Sequence, residues 1–380
     1  MPDCMPLLAV CDFTMGQSPS SDTYNTNGDG MPFYQGNADF GKRSPSPRVW
    51  CNSPKKTANE GDILISVRAP IGAINIAAEQ CCIGRGLAAL AVRPDAATRD
   101  YLEHYLRYKR PELERRGTGS TFKAVGKKVF AEMTLPIVSV DEQSEIAKKL
   151  NNALELQEEA ASQISMLDEL VKSRFIEMFG DPIENPFGWD TKPLGELGEL
   201  KNGVNFKSVD SGTEIRCLGV GDFKDRYQIS DMDLISIVSL NGKPNENQML
   251  RDGDIVFVRS NGNKQLVGRC LAVFPGDEEV TFSGFCIRFR NESDGLLLDY
   301  LLGCLKSDSM RKAMTGRGAN IQNLSQKILS GVVMPMPPIA LQQEFAAFVQ
   351  KVDKLKFETQ QAIEKLQLLY DSLAQEYFGS

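Results

Sequence analysis

The chain has a single histidine, His104, in 380 residues. A serine or cysteine nucleophile of the usual kind would have to use it as its base. No Gly-x-Ser-x-Gly elbow accompanies it, and in the helix-like run 101–107 it reads as a helix-surface or boundary residue. The nine cysteines (Cys4, Cys11, Cys51, Cys81, Cys82, Cys217, Cys270, Cys286 and Cys304) include no CxxC pair, so no clustered metal ligands are expected. They read as free thiols, which places the chain in a reducing, cytoplasmic compartment. No apolar run approaches the roughly 18–20 residues of a membrane helix. Residues 1–10 lack the basic and apolar regions of a secretory signal, so no membrane association is expected. Gly41-Lys42 ends a stretch that looks like a phosphate loop. Arg43 stands where Ser or Thr should hold magnesium, and a Ser/Pro-rich loop follows in place of a helix, so the match is accidental. A Gly-rich dinucleotide turn is also missing. The sequence therefore offers no catalytic constellation.

What is present is ordinary globular composition and a charge that, taken alone, argues against a nucleic-acid partner: 43 basic and 50 acidic residues, net −7. Length alone suggests two or three domains.

Self-comparison supplies the strongest signal. Shifted by 199 positions, residues 119–180 align with residues 318–379 without a gap and with 15 identities in 62 positions, against about four expected by chance. Upstream, Gly61-Asp62-Ile63 with Arg68 resembles Gly253-Asp254-Ile255 with Arg259, and Pro6-Leu7 resembles Pro193-Leu194. The protein is two copies of one unit of about 190 residues, each a globular part followed by a helical part. That period is far longer than a solenoid repeat, so this is domain duplication.

Residues 141–179 contain neither Pro nor Gly. Acidic Asp141 and Glu142 open the stretch and Gly180-Asp181-Pro182 stops it. Ile146, Leu150, Ala153, Ala160, Ile164, Leu167, Val171 and Met178 recur at heptad spacing, interrupted by Gln157 and Arg174. The second copy repeats the seam with Phe345, Val349, Val352, Ile363, Leu366, Tyr370, Leu373 and Tyr377, and Lys356 aligns with Gln157. A polar seam residue either sets register or marks a water-exposed gap. Each helix spans roughly 58 Å, too long a seam for one globular part to cover, so the two helices are expected to pack on each other as a coiled coil, antiparallel if the tandem copies are related by a two-fold.

Residues 1–138 and 181–337 are expected to be globular, and residues 139–180 and 338–380 to be the spacer helices. The globular parts carry short β-like runs separated by Gly, Asn, Ser and Pro turns, with one helix near 97–110 and another near 295–313. The predicted fold class is α+β: a tandem duplication with two globular α/β domains separated by two long antiparallel helices. Charge is uneven. Residues 99–128 hold nine basic and four acidic side chains, residues 306–327 five and one, and residues 141–179 four and nine. A basic stretch at the same place in both copies is the footprint of phosphate binding; a solvated helix face is the alternative.

Taken together, in this order and twice over, these features resemble the specificity subunit of type I restriction–modification enzymes. The residues that carry the resemblance are Pro193-Leu194-Gly195, Gly253-Asp254-Ile255 with Arg259-Ser260-Asn261-Gly262, residues 316–321 ahead of Pro335, Asp141-Glu142-Gln143, and Phe179-Gly180-Asp181-Pro182. The first copy has Val67-Arg68-Ala69-Pro70 in place of the Arg-Ser-Asn-Gly form. The resemblance implies that each globular part is a target recognition domain reading one half of a split site in double-stranded DNA. The helices would set the spacing and dock two modification subunits. Those subunits carry S-adenosylmethionine and methylate adenine, and restriction subunits add ATP- and magnesium-dependent translocation and cleavage. This chain would hold no cofactor, metal or catalytic residue of its own. Arg pairs with guanine, and Asn or Gln with adenine. On that geometry the candidate DNA contacts are Arg116, Thr121 and Lys123 in the first copy, and Arg259, Asn261, Asn263, Lys264, Arg317, Asn320 and Gln322 in the second. Asn261-Gly262 also suits a simple turn. The residues alone also admit a non-catalytic protein-binding scaffold with two interaction domains on a helical spacer, or a hydrolase built on His104.

Overall fold

A computed structural model describes residues 3–119, 123–206, 212–223, 226–315 and 323–379. The chain forms two compact units, residues 1–162 with 359–380, and residues 163–358. Each unit joins one globular part to one half of each long helix.

In the first unit, the branched residues Ile63, Leu64 and Ile65 favour a pleated strand. They form the strand Ile63–Ser66, inside an antiparallel sheet ordered Cys11–Met15, Leu87–Val92, Ile63–Ser66, Ile74–Ile76. Alternate side chains leave opposite faces. Ile63, Ile65, Ala88 and Leu90 join the core with Tyr101, Leu150 and Phe378 of the helices. Leu64, Leu87 and Ala89 pack instead with Tyr34, Ala58 and Ile83 of a second, five-stranded sheet. Both faces are covered, so the strands read as short apolar runs without polar alternation. A two-stranded ladder, Asp3–Pro6 on Thr134–Ile137, closes the globular part beside the start of the first long helix.

The second unit repeats this plan. Its sheet runs Gly198–Asn202, Cys286–Asn291, Asp254–Val258, Cys270–Val273, Gln228–Ile229. Ile255, Phe257, Ile287 and Phe289 face Val171, Phe175, Phe179 and Phe345 of the helices. Val256, Val258 and Leu271 face a cluster that includes Leu218 and Phe282 of a three-stranded sheet. The ladder Thr191–Pro193 on Val333–Pro335 matches that of the first unit.

The long helices are Val140–Phe179 and Ile339–Phe378, 40 residues each. Within the first unit Lys149 reaches Tyr377 at 3.4 Å and Gln157 reaches Gln367 at 3.4 Å. Within the second, Asp168 pairs with Lys356 at 2.6 Å and Arg174 with Glu344 at 2.8 Å. In both, one number rises as the other falls, so the paired stretches are antiparallel, as the duplication predicts.

The seam differs from the predicted one in two ways. Its middle is thin: Ile164, Leu167, Ile363 and Leu366 are only half-buried. The deepest contacts lie toward the ends, where Phe175 and Phe179 pack with Tyr300 and Phe345. Heptad counting passed over Phe175 and Phe179 because they face the globular part as well as the partner helix. Lys356 does not face a gap: it pairs with Asp168 across the helices. Besides Asp168, its ammonium lies 5.4 Å from the Tyr227 ring centre.

His104 also differs from its prediction as a surface or boundary residue. It is 1% exposed, with Nδ1 3.0 Å from the Tyr370 hydroxyl and Nε2 3.0 Å from Asn151 Oδ1. It ties the helix Arg99–Tyr108 of the globular part to both long helices. Its equivalent, 199 residues on, is Gly303, where a Cβ would meet the Phe175 ring at 2.4 Å. Phe175 in turn is equivalent to Ala374, and Val171 to Tyr370. The two junctions thus fill the same space differently. One uses His104, Tyr370 and Ala374, the other Gly303, Val171 and Phe175.

Candidate nucleic-acid interface

In each unit the same backbone arrangement joins the loop after the central strand to the segment that follows the basic stretch. The chain leaves its central strand at residues 67–70 or 259–262 and is crossed by the segment that follows the basic stretch. In the first unit Val125 N donates to Val67 O at 2.9 Å, and Arg68 bridges Ala124. In the second, Leu324 N donates to Arg259 O at 2.8 Å, and Ser260 bridges Asn323. The register makes Val67 equivalent to Arg259, and Arg68 to Ser260. The two arginines are therefore offset by one residue. One residue along an extended chain reverses the direction of the side chain, so Arg68 and Arg259 are not interchangeable.

Lys123 is exposed next to Arg68, and its carbonyl accepts from Ala69 N at 3.2 Å. Arg116 ends the helix Arg110–Arg116 paired with Glu132 and, at 3.6 Å, with Glu112. It would have to leave two carboxylates to meet DNA. Arg259 is half-buried, and its guanidinium donates to Gly284 O at 3.2 Å. Asn261 Oδ1 accepts from Asn263 N at 2.7 Å, and Asn263 Oδ1 from Gln265 N at 3.0 Å. The Asn261-Gly262 turn is thus real, and each amide side chain also shapes the loop. Lys264 opens the short helix Lys264–Leu266; its side chain lies outside the described residues. Thr121, Arg317, Asn320 and Gln322 lie outside them altogether, although Asn323 and Lys123 border their segments.

The basic stretches are less open than the sequence implies. Arg99, Arg107, Lys109 and Arg110 pair with Asp100, Glu103, Glu112 and Glu114 along their own helices. This is the solvated-face alternative. Arg115, Lys123, Lys127 and Lys128 are exposed. In the second unit Lys306 is withdrawn from solvent: its ammonium donates to Arg226 O at 2.9 Å and sits 3.8 Å from the Tyr227 ring centre. Burial pushes the Lys306 pKa down, and burial with nearby Asp168 pushes Tyr227 up to about 12.

Sequence reasoning missed Arg85 and Gln35. Arg85 lies in the turn between Cys81–Ile83 and Leu87–Val92, with Gly84 and Gly86 on either side. A Cβ on Gly86 would meet Gln35 O at 2.3 Å. The glycine is needed for this close approach, and a basic residue between two glycines was the legible signal. Residues 36–42, the phosphate-loop lookalike, form a short 3-10 turn at Asn37–Asp39 and no longer helix. Lys42 pairs with Glu158 at 2.6 Å. Cys4 is exposed and the other eight cysteines are buried thiols outside any disulfide. Among the described residues no helix is long and apolar enough to cross a membrane.

Comparison with known proteins agrees with this architecture. Residues 5–165 and 186–368 match the type I restriction modification DNA specificity domain. The MjaX type I restriction enzyme specificity subunit of Methanocaldococcus jannaschii is 42% identical over 153 residues, 40% of this chain and 36% of that protein. The StySPI specificity subunit of Salmonella potsdam is 23% identical over 295 residues, 72% of this chain and 62% of that protein. The matches thus span less than two thirds of either relative. The crystal structure of a type I restriction-modification S subunit from M. genitalium has the same fold, with a TM-score of 0.50 at 17% identity, covering 99% of this chain and 96% of that one. With two matched domains that together take up most of its length, the chain belongs to the type I restriction modification DNA specificity family.

Proposed function

We propose that this chain is the DNA-recognition subunit of a type I restriction–modification complex. Each globular part reads one half of a bipartite site in double-stranded DNA, and the paired helices set the distance between the halves. The observation that carries this reading is the repeated loop crossing, which brings Arg68 and Lys123 together in one unit, and Arg259, Asn261 and Asn323 in the other. The chain makes no bond itself. Two modification subunits supply S-adenosylmethionine and methylate adenine, and restriction subunits, where present, supply ATP- and magnesium-dependent cleavage, in the cytoplasm. The helices suit the docking role, since they leave Leu156, Met166, Leu170, Phe357, Leu368 and Leu369 about half or more exposed, and large exposed apolar side chains mark protein contacts. The complex with modification subunits should enrich duplexes with two fixed half-sites at one spacing from a random DNA pool. Enrichment of nothing, or of one continuous motif, would contradict the proposal.

A further inference from the structure

The first unit contains a cleft of about 630 Å³ that none of the predicted contacts lines. Ser18, Tyr24, Gln35, Arg68, Arg85 and Gly86 line it, and no carboxylate does. Among the described residues neither the Arg68 nor the Arg85 guanidinium has an ion-pair partner, and both residues are exposed. Their backbones, by contrast, are fixed. Arg85 N donates to Ser18 Oγ at 3.3 Å, Gly86 N to Gln35 O at 3.1 Å and Val67 N to Gly86 O at 2.9 Å. Gln35 N is held by Asp39 Oδ2 at 2.7 Å, and the Tyr24 hydroxyl donates to Pro19 O at 2.9 Å. Three loops thus hold two forked donors and one amide over a single concavity, without competing acids.

The second unit handles the same place differently. Arg85 is equivalent to Gly284, 199 residues on, and there the Arg259 guanidinium reaches the Gly284 carbonyl from the opposite segment. A Cβ on Gly284 would meet Asn205 Oδ1 at 2.0 Å, so a side chain there would have to displace Asn205. Each domain places guanidinium groups here, but from different backbone positions and with different reach. Such a difference is expected of two domains that read different bases.

We infer that Arg68, Arg85 and Gln35 determine specificity for the first half-site by reading purine edges in the groove, guanine by the arginines and adenine by the glutamine. This rests on the DNA-recognition reading above and deepens it. A phosphate offers acceptors alone, so it can pair bidentately with a guanidinium but not with the donor-and-acceptor face of the Gln35 amide, whereas purine edges match both.

The test uses the chain assembled with its modification subunits, comparing wild type with Arg85→Ala, Arg85→Lys, Arg68→Ala and Gln35→Ala. The methylated motif is mapped and affinity is measured on cognate and singly altered duplexes. The expected result is that Arg85→Ala relaxes one position of one half-site, with cognate affinity falling roughly 5- to 150-fold and the other half-site still strict. Arg85→Lys should keep the charge and still lose that discrimination. A uniform loss on all sequences, rescued by lysine and with the salt slope reduced by about one, would make Arg85 a phosphate contact and overturn the inference. An unchanged motif and affinity in all variants would also overturn it. If wild type itself methylated no motif, the DNA-recognition reading would fail first.

Discussion

Burial disfavours the charged form of His104 in the folded protein, and its bonds suit a neutral ring. Asn151 gives its amide hydrogens to Asp100 at 3.4 Å, so its oxygen faces His104 and requires Nε2–H. Nδ1 then accepts from Tyr370. Burial pushes its pKa below the ordinary 6.5, against smaller upward pulls from Asn151, Glu103 and Asp100. Between the lowered folded value and 6.5 the unfolded chain binds more protons, so stability present above 6.5 is lost as pH falls. Denaturation midpoints should therefore drop more steeply below about pH 6.5 in wild type than in His104→Gln; parallel curves would contradict this. His104→Ala should cost about 1–3 kcal/mol for each buried group left unpaired, measured by denaturant unfolding. At the equivalent junction Gly303→Ala should cost about 1–3 kcal/mol by overpacking Phe175, and Phe175→Leu in that background should recover part of the loss. A neutral Gly303→Ala would show that the ring moves freely. None of this was legible in sequence. A lone histidine in a helix pattern carries no sign of which partners the fold brings from 47 and 266 positions away.

The long helices were the most legible elements, because an unbroken Pro- and Gly-free heptad pattern leaves little alternative. Their antiparallel pairing followed from the duplication. The seam's weak middle and strong ends did not, because Phe175 and Phe179 owe their burial to Tyr300 and Phe345, far away in the chain. The strands were visible as short apolar runs, but pairing order and register were not. The thin middle is where a length change should be tolerated. Gln157 faces Gln367 there, so removing residues 157–163 together with 361–367 keeps the flanking register. Seven residues at about 1.5 Å each is about 10 Å, or about 3 base pairs at 3.4 Å. The recognised spacing should shorten by that amount with both half-sites unchanged. An unaltered spacing in a folded variant would refute the helices as ruler.

For the whole molecule, the net charge of −7 is an average over acidic helices and two domains with exposed basic segments. Many of those basic residues are tied to their own helices' acids, so the isolated chain should bind DNA weakly. Its affinity should fall steeply with salt and rise when modification subunits join; tight, salt-insensitive binding by the chain alone would count against this picture. The place of the candidate site was legible in part. The repeat pointed to the loop after the central strand and to the glycine-flanked basic stretch, and the fold brings those segments together. Arg85 escaped because its equivalent is a glycine, so comparison of the copies hid it. The central claim is that two unlike domains on one chain read two unlike half-sites. The most direct test is a map of methylated adenines in cells expressing this chain with its modification subunit. One asymmetric motif, two short half-sites at a fixed spacing, is the predicted result; no new motif, or a single palindromic one, would contradict the claim.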